Sequence, residues 1–160
     1  MIEFPRDFKE FLRLLHSKEI EYLVIGGYAV GFYGYPRATG DMDVWIATNE
    51  LNALKMVAAL RQFGFDQPDL KKGIFLEDKK VIRMGIPPMR LEIFTSIDGV
   101  IFETCFKNRV VADFGDFKVN FISKDDLLIN KRSSGRPQDM VDCEKLRNDC
   151  RIEPVSAPTG

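Results

Sequence analysis

The stretch GGYAVGFYGYPRATGDMDVWI, residues 26–46, joins two adjacent glycines to two aspartates that are separated by one residue. The glycines follow the apolar run LVI, and the aspartates begin a second apolar run. Side chains alternate between the two faces of a strand, so we expect Asp41 and Asp43 to share one face. Gly26 and Gly27 would let the backbone turn sharply into a helix, whose first amide groups attract phosphate. The stretch therefore predicts a phosphate-binding turn beside a pair of carboxylates.

The pair of aspartates has two interpretations. Two carboxylates this close repel each other and raise one another's pKa unless a cation or strong donors lie near them. A divalent ion such as Mg²⁺ takes oxygen ligands, usually one or two carboxylates together with substrate phosphates. Alternatively, the charges only keep an exposed strand edge from pairing with other chains. The glycine pair favours the metal interpretation, because the phosphate-binding turn and the metal-binding carboxylates would then lie at the same edge of the sheet.

The rest of the sequence alternates between helical and strand-like patterns. The helix that follows Gly26 should end before Pro36, because a residue preceding proline is pushed out of the helical region. A turn at residues 87–88 predicts an antiparallel pair of strands, and SKDD from Ser123 matches a helix capping box. The predicted strands are 21–25, 41–47, 79–86, 89–95 and 117–122, and the predicted helices are 5–18, 26 to before 36, 49–63, 99–107, one from 123 and one after 137. The pattern predicts an α/β fold, in the α+β sense, with a mixed β-sheet flanked by helices.

Several single residues have specific expectations. Thr48 or Asn49 can cap the helix over 49–63, and Gly64 lies at its exit. Trp45 shares the face of the aspartates, and packing inside the protein is favoured for it over stacking on a base. His16 is expected on the surface or in packing, not in catalysis. The apolar side of the helix over 49–63 is predicted to contain Leu51, Leu54, Val57, Ala58 and Leu60.

Composition limits the class of protein. It predicts one domain over 1–152 and a flexible tail over 153–160, because EPVSAPTG has few apolar residues to pack. With 23 basic and 24 acidic residues, the net charge of −1 provides no general attraction for nucleic acid. No apolar run approaches the roughly 20 residues that cross a bilayer, and no secretory pattern is present, which predicts no membrane association and a cytoplasmic location. Unpaired thiols are predicted for the three widely spaced cysteines, Cys105, Cys143 and Cys150.

Three motifs in order resemble the DNA polymerase β-like nucleotidyltransferase superfamily. LVIGG is followed after thirteen residues by DMDVWI, and RLEIFTSIDG later contains Glu92 between two apolar residues. The run G-x-P-R-x-T-x-D-x-D and the distal segment KRSSGRPQDMVD are most similar to small prokaryotic nucleotidyltransferases of the abortive-infection toxin-like group. The sequence departs from that pattern at Glu92, where aspartate is commoner, and at Gln138, where a basic residue is common. In the distal segment, Arg136 and Asp139 would pair with each other across a helix start.

The resemblance implies a polymerase β-like nucleotidyltransferase fold and an enzyme that depends on Mg²⁺ or Mn²⁺. A nucleoside monophosphate would move from a nucleoside triphosphate, such as ATP, to an acceptor hydroxyl, and pyrophosphate would leave. Asp41, Asp43 and Glu92 would be the catalytic metal ligands. The acceptor would be an RNA or tRNA end, a protein or a small molecule. A role as the toxin of a toxin–antitoxin pair would add a cognate antitoxin or another partner chain.

The resemblance also implies roles for residues around the phosphates. Gly26 and Gly27 would hold the outer phosphates, Arg37 would touch a phosphate, and Thr39 would fix the loop before the aspartates. Lys131 would neutralise the triphosphate as a compact positive charge. Each has a structural alternative: a turn for the glycines, a solvated Arg37, a strand-forming Thr39 and an ordinary helix-end Lys131. For the whole chain, the alternative is a catalytically weak nucleotide-binding or partner-binding regulatory protein of the same fold.

Overall fold

The structure is a computed structural model that describes residues 3–35 and 40–152. Its helices are α1 (Arg6–Ser17), α2 (Gly26–Phe32), α3 (Glu50–Phe63), α4 (Phe102–Lys107), α5 (Lys124–Ser134) and α6 (Pro137–Ile152). Its strands are β1 (Tyr22–Ile25), β2 (Asp41–Ile46), β3 (Val81–Met84), β4 (Arg90–Phe94), β5 (Val110–Asp113) and β6 (Lys118–Phe121). A short 3₁₀ helix, Lys72–Phe75, follows α3.

Among the described residues, six strands form one sheet in the order β3-β4-β2-β1-β6-β5. β2 pairs with β4, and β1 pairs with β6, in parallel. The other three neighbouring pairs are antiparallel, which makes the sheet mixed, as predicted. The predicted antiparallel pair around the proline turn is β3 and β4, and the peptide bond between Pro87 and Pro88 is cis.

Capping and apolar periodicity explain where the main helices lie. The side chain of Asn49 accepts a hydrogen bond from the amide of Asn52 at the start of α3. Ser123 accepts one from the amide of Asp126 at the start of α5, as its capping box predicts. The apolar stripe of α1 is buried against the core and consists of Phe8, Phe11, Leu12 and Leu15.

The predicted apolar side of α3 is wrong at three of its five positions. Leu51 and Leu54 are 62% and 50% exposed, and Ala58 is also exposed. Apolar residues occur around much of this helix, so the pattern alone leaves its rotation undecided. The contacts of Asn52 account for the rotation, because its side chain hydrogen-bonds to the backbone of both chain segments, at Glu21 and Ala47, at one end of the β1–β2 pair. The side chains that α3 buries are Asn52, Ala53, Met56, Val57, Ala59 and Leu60.

Two other elements differ from the prediction. The helix predicted over 99–107 begins only at Phe102, after the N-cap residue Ile101. The strand β5 was not predicted, because VVAD is too short to show a period and follows a helix directly. It pairs with β6 through a tight turn in which the amide of Phe114 donates to the carbonyl of Phe117 at 2.9 Å.

The predicted packing of Trp45 is confirmed. Its indole is buried and meets the ring of Phe102 edge-on at a centroid distance of 5.1 Å. Cys105 and Cys143 are buried free thiols, as predicted, and His16 is exposed on α1. Within the described part of the chain, no helix is both long and apolar enough to cross a membrane. The predicted flexible tail, 153–160, lies outside the described residues.

Asn52→Ala should lower the free energy of unfolding by about 3 kcal/mol. The Oδ1 of Asn52 accepts from the amide of Glu21 at 2.8 Å, and its Nδ2 donates to the carbonyls of Glu21 and Ala47 at 3.1 and 2.9 Å. Truncation would remove all three hydrogen bonds, although the carbonyl of Glu21 would keep the one from the amide of Ala47 at 3.2 Å. Urea unfolding measures the loss, and Leu51→Ala, on the exposed side of the same helix, should change the value by less than about 0.5 kcal/mol. Similar effects of the two substitutions would contradict this role of Asn52.

Candidate functional site

The parallel pairing of β2 with β4 brings the predicted carboxylates together. Asp43 lies directly opposite Glu92, and Asp41 lies opposite Arg90. Residues at alternate positions share a face, so all four side chains project from one side of the sheet. β1 ends beside them, because Ile25 pairs with Asp43 in the antiparallel register of β1 and β2.

Gly26 lies against Asp43. Its φ of 68° is left-handed, a conformation that residues with a Cβ rarely adopt. A Cβ placed on Gly26 would overlap Oδ2 of Asp43. Glycine thus lets α2 begin immediately beside the carboxylate, and Gly27 is buried in the first turn of that helix. The structure brings Gly26, Asp43 and Glu92 together, as the sequence predicts.

Asp43 occupies an unfavourable position for a lone negative charge. Burial raises its pKa to about 8, with further contributions from the charge of Glu92, a hydrogen bond with Glu92 and the charge of Asp41. The charge of Lys131 acts in the opposite direction. Oδ1 of Asp43 is buried and has no hydrogen-bond partner within the described structure. This oxygen therefore lacks the donor or cation that a buried carboxylate normally has.

Arginines pair with the two neighbouring carboxylates. Nε and Nη2 of Arg90 lie 3.2 and 2.9 Å from the two oxygens of Asp41, and this hydrogen bonding raises the pKa of Arg90. Nε of Arg83 lies 2.6 Å from Oε2 of Glu92. Among residues 3–35 and 40–152, no three His, Cys, Asp or Glu side chains are already arranged around one metal position. One or two carboxylates that act with substrate phosphates remain a suitable donor set for Mg²⁺.

Lys131 is buried between two acids of α6. Its Nζ lies 3.0 Å from Oδ1 of Asp139 and 3.1 Å from Oδ2 of Asp142. Nε of Arg136 lies 2.7 Å from Oδ2 of Asp139, so the predicted pairing of these two residues is confirmed. Ser134 also donates to Asp139. Burial raises the pKa of Asp139, but the hydrogen bonds from Ser134, Arg136 and Lys131 outweigh it and lower that pKa.

A cleft of about 790 Å³ opens on this side of the sheet. Its walls come from the end of β1, from β2 to β4, from the loop after β4 and from α5. The lining includes Gly26, Asp43, Phe94, Asp98, Lys131 and Arg136. A second cavity, of about 610 Å³, lies near α1, the end of α3 and the turn before β4, and none of the predicted site residues that the structure describes lines it.

Two of the predicted site residues are not described by the structure, and two arginines that were not predicted contact the carboxylates. Arg37 and Thr39 lie outside the described residues, so their predicted roles stay predictions. The pairing of Arg90 with Asp41 was not anticipated, although the alternation in RLEIF puts Arg90 on the face of Glu92. The contact of Arg83 with Glu92 depends on the register of β3 and β4, for which the sequence contains no local signal.

No protein-family model matches the chain, and no curated protein matches it well enough to count as a relative. A solved structure to which the chain is similar is that of the lincosamide antibiotic adenylyltransferase LnuA, bound to lincomycin. The two chains have a TM-score of 0.56 and 15% sequence identity, over 90% of this chain and 96% of that chain. At this identity the likeness establishes the fold, a polymerase β-like nucleotidyltransferase fold, and confirms the predicted fold class.

The raised pKa of Asp43 predicts a pH dependence of stability in metal-free buffer. Its value is about 8 in the folded protein and 3.8 for an unperturbed aspartate, so between these values the folded state holds a proton that the unfolded state has lost. The free energy of unfolding should therefore fall as pH rises through this window. Urea unfolding at several pH values should show a shallower fall for Asp43→Asn. Asp69→Asn, at an exposed carboxylate outside the site, should follow the parent, and equal slopes for Asp43→Asn and the parent would contradict the assignment.

Proposed function

We propose that this chain is a nucleotidyltransferase that moves a nucleoside monophosphate from a nucleoside triphosphate to an acceptor hydroxyl. The main support is the carboxylate cluster of Asp41, Asp43 and Glu92, set beside Gly26 in a nucleotidyltransferase fold. In the reaction, the acceptor oxygen bonds to the α-phosphorus, and the bond from that phosphorus to the bridging oxygen breaks. Pyrophosphate leaves, and one of the carboxylates takes up the acceptor's proton.

The donor set suits a hard divalent ion, Mg²⁺ or Mn²⁺. Oδ1 of Asp43 is buried and has no hydrogen-bond partner among the described residues. Burial, and then the charges of Glu92 and Asp41, raise the pKa of this carboxyl group. Asp43 would hold the ion together with Asp41 and Glu92, whose arginine partners would then release one oxygen or move. When bound, the ion would stabilise the charges on the attacking and leaving oxygens.

The remaining residues would bind and orient the triphosphate. Gly26 and Gly27 would present backbone amides to the outer phosphates, because no side chain separates this turn from Asp43. Lys131 would add positive charge from the cleft wall, although Asp139 and Asp142 compensate that charge. Arg37 would contact a phosphate, and Thr39 would hold the loop before β2. These roles follow from the family resemblance of the motifs.

A specific observation favours the second candidate, a catalytically weak nucleotide-binding or partner-binding regulator. Asp41 and Glu92 are both paired with arginines, Arg90 and Arg83. A protein that never binds metal could keep these ion pairs permanently. An enzyme would have to exchange them for metal contacts in each complex with substrate. The two candidates therefore differ in whether a divalent ion can displace the arginines.

The proposed acceptor classes and biological role rest on the sequence motifs. The name of the structural neighbour describes adenylyl transfer and a lincosamide for that protein. For this chain the acceptor would be a tRNA or other RNA end, a protein hydroxyl or a small molecule, and ATP is one candidate donor. We retain the toxin-like role, with a cognate antitoxin as partner, on the strength of the G-x-P-R-x-T-x-D-x-D run and the distal segment.

Incubation with each α-labelled nucleoside triphosphate and Mg²⁺, in an extract of the host cell, should transfer label to one fraction. RNA, protein and small molecules are separated and counted, and the labelled fraction identifies the acceptor class. A chelator should abolish incorporation, because the carboxylates alone repel phosphate. Folded protein that binds nucleotide equally well with and without Mg²⁺, and labels nothing, would reject transfer and support the regulatory alternative.

Glu92→Gln should reduce turnover by about a hundredfold, equivalent to roughly 3 kcal/mol of transition-state stabilisation, and leave nucleotide binding nearly intact. Asp41 and Asp43 would still bind the ion in this variant. Glu92→Asp should recover part of the activity, because it restores the charge. Single-turnover rates with the acceptor found above measure the effect. Asp116→Asn, an exposed carboxylate at the far edge of the sheet, is the matched control and should stay within about twofold of the parent. A fully active Glu92→Gln beside an inactive Asp43→Asn would remove Glu92 from the site.

A further inference from the structure

The edge strand β5 (Val110–Asp113) exposes two valines at an open edge of the sheet. β6 covers its inner side, and no strand among the described residues covers its outer side. Val110 and Val111 point to opposite faces, yet they are 37% and 49% exposed. Edge strands are commonly protected by lysine, proline or a bulge, and β5 has none of these. Its protection is limited to its length of four residues and the charge of Asp113. The strand is therefore open to pairing along its backbone.

The hydrogen-bond pattern shows which backbone groups face outward. The amide of Phe114 donates to the carbonyl of Phe117, which makes this a hydrogen-bonded pair. Such pairs alternate along an antiparallel ladder, so Ala112 and Val110 also direct their amides and carbonyls towards β6. The corresponding groups of Val111 and Asp113 point to the open edge. At Arg109, which precedes the strand, the amide donates to the carbonyl of Phe106 at 3.3 Å. Its carbonyl lies opposite the inward amide of Val110 across the peptide bond and therefore faces outward.

We propose that β5 is a self-association edge, at which two copies of this chain pair antiparallel about a twofold axis at Val111. In this register, Arg109 faces the partner's Asp113, and Asp113 faces the partner's Arg109. Val111 faces its own copy between the two charge pairs, and on the opposite face Val110 meets the partner's Ala112. The outward amides and carbonyls of Val111 and Asp113, together with the carbonyl of Arg109, form the new ladder. Shifting the axis by one residue would place Arg109 opposite a residue other than Asp113 and would lose both charge pairs.

The present contacts of the charged residues are compatible with this pairing. Nη1 of Arg109 donates to the carbonyl of Phe106 at 2.8 Å, and its guanidinium lies 4.0 Å from the centre of the Phe106 ring. A guanidinium has five N–H donors, so further bonds are available to it. Oδ1 of Asp113 accepts from the amide of Gly115 at 2.8 Å, and a carboxylate has a second oxygen. Exposed charge pairs add little affinity, and their main effect is to select the register. We therefore expect a weak dimer that forms only as the protein concentration rises.

The opposite edge of the sheet lacks this self-complementarity. β3 contains Arg83 and directly follows Lys79 and Lys80, so two copies paired there would bring positive charges together. β5 is also separated from β2 by three strand spacings, about 14 Å. Pairing at β5 would leave the carboxylate cluster open. The proposal is therefore independent of the function proposed for that cluster.

Sedimentation velocity of the full chain over a wide concentration range tests the association. The parent should move from monomer to dimer as concentration rises. Val111→Lys places two like charges opposite each other at the axis and should weaken dimerisation about tenfold or more. Val81→Lys, at the opposite edge, should dimerise like the parent. A parent that stays monomeric throughout, or a Val111→Lys variant that dimerises as well as the parent, would overturn the proposal.

A charge exchange tests the register. Arg109→Asp alone and Asp113→Arg alone each place like charges opposite one another, so each should be mainly monomeric. Mixed in equal amounts, the two variants should form a heterodimer, because the acids of one chain at positions 109 and 113 would both face arginines of the other chain. Circular dichroism confirms that the variants fold. Dimers of each variant alone as stable as the parent's, or no heterodimer from two folded variants, would refute this register.

Discussion

Repulsion among Asp41, Asp43 and Glu92 is the constraint on which the rest of the site depends. The parallel register of β2 and β4 places Asp43 opposite Glu92, and the turn at Gly26 closes over the same carboxylate. Asp43 keeps a proton to an unusually high pH, because burial first and then the charges of Glu92 and Asp41 raise its pKa to about 8. Each neighbouring acid has its own arginine, Arg90 or Arg83. Arginines thus compensate the charges of Asp41 and Glu92, whereas Oδ1 of Asp43, between them, has no hydrogen-bond partner among the described residues.

The charges on α5 and α6 also compensate one another. Lys131 contributes a positive charge near Asp43, but Asp139 and Asp142 hold it from the α6 side. The buried ion pairs join α5 to α6 and fix the wall of the cleft. Such a pair is costly to break, because removal of one partner leaves a buried charge alone. A triphosphate that enters this cleft would therefore meet a nearly neutral surface, and a bound cation would supply the missing attraction.

The fold and the function rest on different kinds of support. The fold is shared with an adenylyltransferase at 15% identity, a level at which only the backbone arrangement can be transferred. The proposed function depends on individual side chains, above all on Oδ1 of Asp43, which has no hydrogen-bond partner among the described residues. An enzyme and a regulatory protein of this fold would differ little in their strands. They would differ in whether a bound divalent ion can displace Arg90 and Arg83 from the carboxylates.

Local patterns in the sequence determined the strand faces, the glycine turn and the starts of two helices. The alternation in DMDVWI and RLEIF assigned the acids to strand faces, the glycine pair marked the turn, and Asn49 and Ser123 capped the predicted helices. These signals depend on residues within a few positions of each other. The tertiary structure decided the register that joins Asp43 to Glu92, the arginine partners, the burial of Lys131, the rotation of α3 and the edge strand β5. Those features depend on contacts between distant segments, and the spacing of residues along the chain does not specify such contacts.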